Sequence, residues 1–133
     1  MRASTLVGVA RRTPTPLLRL ATRPPLRGLV IKQVFAGMPE LLSDTGRKTR
    51  GVIRFDIDCG SRVDTWYAVL GDGRCETTRH LATRPRVTIS LSAFDFVRLA
   101  SGSNAIELFS AGGLRLAGDT YFGASVGELF DLG

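Results

Sequence analysis

Between Val87 and Asp119 the chain has little freedom in how it folds. The stretch reads VTISLSAFDFVRLASGSNAIELFSAGGLRLAGD. Val87, Ile89 and Leu91 alternate with Thr88, Ser90 and Ser92, the period of a half-buried strand. Ser92 stands where a helix N-cap would, with Asp95 three residues on, a capping box with a shorter acid than usual. Ala93, Phe96, Val97 and Ala100 follow at helical spacing, and Gly102 ends that run. Asn104 and Glu107 mark a second short helix carrying Leu108 and Phe109, ended by Gly112 and Gly113. Leu114 and Leu116 then alternate with Arg115 and Ala117 as a strand closed by Gly118 and Asp119.

The segments on either side have matching periods. Residues 28–42 predict a helix with Ile31, Val34, Phe35 and Met38 on one stripe and Pro39 near its end. Residues 43–51 predict a polar connection. Val52–Asp58 alternates cleanly, with Ile53, Phe55 and Ile57 on one face and Arg54, Asp56 and Asp58 on the other. Asp64–Leu70, with Trp66 and Tyr67, predicts its hairpin partner, and Gly71-Asp72-Gly73 a tight turn into a polar strand over Arg74–Arg79. Phe122, Val126, Leu129 and Phe130 fall at the spacing of one last amphipathic helix over residues 120–131. Gly123 and Gly127 thin one face of it, which predicts close approach to a neighbour or a helix that moves.

The ordered run resembles the sterol-carrier-protein-2 (SCP2) domain family. The matching residues are Ser92, Asp95, Phe96, Leu99, Ala100, Gly102, Phe109, Gly112, Leu114, Leu116, Gly118 and Asp119. Gly113, where a basic residue is usual, and Ala117 depart from the pattern without removing an apolar position. The resemblance covers about residues 29–131 and implies an α/β fold of the α+β type. It would have a five-stranded, mainly antiparallel sheet covered by about four helices, with an apolar tunnel between sheet and helices. It implies non-catalytic binding, and transfer, of a sterol, fatty acid, fatty acyl-CoA or isoprenoid. The residues that would line such a tunnel are Phe55, Trp66, Ile89, Phe96, Leu99, Ala100, Phe109, Leu116, Phe122, Val126 and Phe130. The last helix would be its lid. Periodicity alone fits a solid core equally well. The alternative functional reading is an accessory or scaffold protein presenting an isoprenoid or quinone intermediate to partner enzymes. Domains of this kind also occur appended to enzymes, but no such enzyme domain is recognisable in this sequence.

Chemistry and charge point the same way. The motifs of nucleophilic hydrolases, zinc sites, P-loops and dinucleotide-binding turns are not found in the sequence. No catalytic residue, metal or cofactor is therefore expected. His80 stands alone and reads as a surface or structural residue, and Asp56 and Asp58 as the solvent side of a strand. Cys59 and Cys75 have neither redox nor zinc spacing and read as buried or half-buried thiols, with a cross-strand disulfide left open. All twelve acidic residues lie from Glu40 onward, so the formal charge of +6 is carried entirely by the first 39 residues. A nearly neutral domain argues against nucleic acid as the partner. The expected division is a basic, Arg- and Pro-rich tail over residues 1–27 and a lipid-binding domain over 28–133. The favoured reading of the lead-in is a solvated, partly ordered segment, and the alternative is transient contact with anionic membrane surfaces through its basic residues. The expected location is the cytoplasm of a bacterium, or a mitochondrion if residues 1–25 are a transit peptide; a start assigned too early is the third reading of that segment.

Overall fold

The computed structural model describes residues 26–81, 83–101 and 105–130. Residues 1–25 of the proposed tail, Gly102, Asn104 and the last three residues lie outside the described residues, and the first helix takes in the last two positions assigned to the tail. The chain runs α1 (Leu26–Gly37), a 3₁₀ turn (Met38–Leu41), α2 (Asp44–Arg47), β1 (Gly51–Asp58), β2 (Val63–Gly71), β3 (Arg74–Thr78) and β4 (Val87–Ser92). It continues with α3 (Ala93–Ala100), α4 (Ala105–Ser110), β5 (Leu114–Gly118), α5 (Thr120–Ala124) and α6 (Val126–Leu129).

The five strands form one sheet in the order β3-β2-β1-β4-β5. Every neighbouring pair is antiparallel except β1 with β4, which run parallel at the centre. The register sets Phe55 beside Trp66 on one flank and Ile89 on the other, with Ile89 beside Leu116. Because side chains alternate across a strand, Ile53, Phe55, Ile57, Val87, Ile89, Leu91 and Leu114 share one face. All of them are buried. Arg54, Asp56, Thr65, Ser90 and Arg115 stand on the opposite, open face. Only one side of the sheet is apolar, so the helices pack there.

Local chemistry sets the element ends. The β2–β3 turn has positive φ at both Asp72 and Gly73, the conformation a two-residue hairpin of right-twisted strands needs. The Ser92 hydroxyl caps α3 by accepting from the Asp95 N–H at 3.1 Å, and donates to the Asp95 carboxylate at 3.1 Å. Pro39 is the second residue of the 3₁₀ turn, so the first helix ends at Gly37 and does not run on to residue 42. The connection over residues 43–51 holds a short helix that its polar composition does not suggest. Ser43 caps it, accepting from the Gly46 N–H at 3.0 Å.

The predicted last helix is two. Ser125 ends α5, its N–H and its hydroxyl both donating to the Phe122 carbonyl, at 3.1 and 2.8 Å. Phe130 then leaves helical geometry and bridges to Leu42. Gly123 is there for closeness: a Cβ would stand 2.9 Å from Val87 Cγ2 and 3.0 Å from Leu116. Gly127 has nothing within 4 Å of the same position.

Two clasps hold the C-terminal pair. At its start, Asp119 caps α5, accepting from the Phe122 N–H at 2.9 Å and from Arg86 Nε at 3.0 Å. The Arg86 guanidinium lies 4.0 Å over the Phe122 ring. At its end, the Ser43 N–H donates to the Leu129 carbonyl at 2.9 Å and the Ser43 hydroxyl to the Glu128 carbonyl at 2.6 Å. Gly46 allows this contact, since a Cβ there would collide with the Leu129 carbonyl and the Leu42 side chain.

Substituting Gly46→Ala should therefore cost about 1–3 kcal/mol through overpacking, read as a lower urea midpoint with an unchanged m-value. The Phe122 N–H, and after it Arg86, holds the Asp119 carboxyl below its usual titration range. A depressed folded value means the stabilisation is complete above the unfolded value near pH ~3.9 and is lost as pH falls through the lower folded one. The difference in urea midpoint between the native protein and Asp119→Asn should be full at neutral pH and shrink across that acidic window.

Candidate apolar binding site

The apolar face of the sheet and the helices over it enclose a small cavity of about 30 Å³. Val34, Met38 and Leu41 form its wall from α1 and the 3₁₀ turn. Phe55 is its floor on the sheet. Phe96, Leu99 and Ala100 come from α3, and Val126 and Phe130 from the C-terminal segment. A site with no polar lining side chain stays dry, and its volume is about one water's share of the liquid. It is an apolar seam with a gap in it, not an open tunnel.

Six of the residues expected to line a tunnel meet around this gap: Phe55, Phe96, Leu99, Ala100, Val126 and Phe130. Ile89 is fully buried in the sheet without reaching it. Trp66 is partly buried and stacks on Phe35, with ring centres 4.6 Å apart. Leu116 packs beside Gly123 and Phe122 lies under Arg86, both toward the β4–β5 edge. Phe109 is 51% exposed, whereas its neighbour Leu108 is buried. Successive helical residues point ~100° apart, so one α4 face could not bury both. Phe109 therefore stands outside the apolar layer, contrary to the expectation. Val34, Met38 and Leu41 were not expected at the site, although Val34 and Met38 belong to the apolar stripe of the first helix. That stripe was the available signal.

None of the residues lining the cavity is polar or titratable. Asp64 is buried, 5% exposed, on the apolar side of β2, and it is paired with Arg62 at 3.1 Å and Arg79 at 3.5 Å. Cys59 and Cys75 are both buried and are not joined in a disulfide; the Cys59 thiol donates to the Asp64 carboxylate at 3.6 Å. Burial, with Glu76 adding to it, pushes the Cys75 thiol up to about 11, so it remains protonated and a poor nucleophile at neutral pH. His80 is exposed. Among the described residues no group of three or more His, Cys, Asp or Glu is placed to hold a metal ion. No helix among them is long and apolar enough to cross a membrane.

Comparison with known proteins agrees with this fold. No curated protein matches the chain. Among solved structures it resembles a ubiquinone synthesis protein, UbiJ-SCP2, at 20% identity and TM-score 0.64, covering 81% of this chain and 98% of that one. It also resembles apo sterol carrier protein 2 from Yarrowia lipolytica, at 21% identity and TM-score 0.56, covering 65% of this chain and 70% of the other. A third likeness, at 16% identity and TM-score 0.66, is to 17% of the sec-alkylsulfatase Pisa1 from Pseudomonas sp., with 79% of this chain covered. At these identities the likenesses establish the fold. The model of the SCP-2 sterol transfer family matches residues 31–131, so the chain belongs to that family, whose members bind or transfer lipids.

Proposed function

We propose that this protein binds one hydrophobic lipid, an alkyl or isoprenoid chain, in the seam between sheet and helices, without catalysing a reaction on it. The observation that carries the reading is the wholly apolar cavity whose wall includes Val126 and Phe130 from a separately clasped C-terminal segment. The closed volume is too small for a lipid, so binding requires the seam to widen. The segment suited to move is α6, four residues long, whose apolar side chains pack on the core and whose polar ties include Ser43 and the Leu42–Phe130 bridge. Each methylene taken from water contributes ~0.8 kcal/mol, so a chain of ordinary fatty-acid length offsets the packing that Val126 and Phe130 give up. The basic N-terminal segment would bring the domain to anionic membranes where such lipids reside.

A second reading is a scaffold that presents an isoprenoid or quinone intermediate to partner enzymes. It is supported by the likeness to nearly the whole solved chain of a ubiquinone synthesis protein. Co-purification of polyprenyl lipid together with enzymes distinguishes it from a free shuttle, which would carry lipid alone.

Titration of the purified, delipidated protein with a fluorescent fatty acid should saturate at one ligand per chain. Native mass spectrometry should show the same complex. Ala100→Leu places three more carbons in the cavity and should weaken binding roughly tenfold while far-UV circular dichroism is unchanged. A native mass spectrum holding only the apo species at saturating lipid would overturn the proposal.

A further inference from the structure

The inner end of the apolar site is closed by aromatic rings. Phe55 and Phe96 face the cavity, and Phe35 stands behind them with no exposed surface. Its ring stacks on Phe96, with centres 5.0 Å apart and planes 17° from parallel, and meets Phe55 edge-on at 5.3 Å. Its other side stacks on Trp66 at 4.6 Å with the planes 6° apart. The Arg79 guanidinium covers the Trp66 ring at 5.0 Å, and the Arg79 side chain is about half exposed. One column, Phe96–Phe35–Trp66–Arg79, thus runs from the cavity to solvent, and Phe35 is the ring that separates the cavity end from the tryptophan.

The backbone at Phe35 is fixed. Its carbonyl accepts from the Thr77 hydroxyl at 2.9 Å, which pins the C-terminal part of α1 to β3. The ring can therefore leave the column by side-chain rotation while the helix stays in place. Nothing polar has to be broken for that movement. What is lost is ring stacking on two sides.

We propose that Phe35 sets the depth of the lipid site and so selects ligands by chain length. The inference rests on the lipid-binding reading above and says where the bound chain must end. A chain that stops short of the column gains about fourfold in affinity with each added methylene. A longer chain must turn Phe35 out of two stacked contacts, which together offset about tenfold or more of that gain. Affinity should rise with length, stall where the tail reaches Phe35, and rise again only for chains long enough to run on along Trp66.

Trp66 is the only tryptophan of the chain, so its emission reports on the column directly. The test uses saturated fatty acids from octanoate to stearate, displacing a fluorescent fatty acid from the native protein, Phe35→Leu and Phe35→Ala. In the native protein the stall in affinity and the onset of a Trp66 emission change should occur at the same chain length. Phe35→Leu, which keeps apolar bulk and should fold, and Phe35→Ala should lose the stall and bind the longest chains at least tenfold tighter than the native protein does. A smooth length profile in the native protein, repeated unchanged in Phe35→Leu, overturns the inference while leaving lipid binding intact. A native protein that binds no member of the series overturns the lipid reading itself, and this inference with it.

Discussion

The parallel pairing of β1 with β4 is the constraint on which the rest of the structure depends. It sets Ile53, Phe55 and Ile57 in register with Val87, Ile89 and Leu91 and makes a continuous apolar surface across the middle of the sheet. The opposite surface, with Arg54, Asp56, Ser90 and Thr65, has no need of cover. A sheet that is apolar on one face must bury that face, and here it does so under α1, α3 and the short C-terminal helices. A parallel pair also demands a long crossover. The chain between β1 and β4 supplies it with β2 and β3, which extend the sheet on one flank. The segment after β4 returns through α3 and α4 to place β5 on the other.

The cover is uneven. Over Phe35, Phe55, Phe96 and Trp66 the layer is filled by rings in mutual contact. Toward α6 it is thinner, and the gap among Val34, Leu99 and Val126 lies there. The helices at that end are held by polar clasps at Ser43 and at Asp119–Arg86, where individual bonds can be exchanged for water. A lipid-binding domain needs this combination. A rigid sheet with an aromatic floor gives the apolar wall, and short, separately anchored helices let the wall be reached. Elements of low local stability are where such movement is found.

Much of this was legible in the residues. Strict alternation in 52–58 and 87–92 marked the two central strands and identified their buried faces, because a period of two leaves one choice of side once the apolar set is known. Ser92 was legible as a cap because the side chain that starts α3 acts within its own turn. The α2 helix was not, because four residues show no period and its stabilisation is distant, in the contact of Ser43 and Gly46 with Leu129. The break at Ser125 was hidden because Phe122, Val126, Leu129 and Phe130 keep helical spacing through it. Phe109 and Leu108 were equally apolar, and only packing decides which of two neighbours a short helix buries. The size of the cavity was beyond reach of periodicity altogether, since it depends on how far the rings of Phe35, Phe55 and Phe96 fill the layer.

The central claim is that a lipid chain lies between Phe55 on the sheet and Val126 on α6. The most direct measurement is a set of isotope-filtered nuclear Overhauser contacts from an unlabelled fatty acid to the methyl groups of labelled protein at saturation. The account predicts cross-peaks from chain methylenes to Val34, Leu99, Ala100 and Val126. Contacts confined to exposed methyls such as those of Leu29 and Val63, with these four silent, would contradict it.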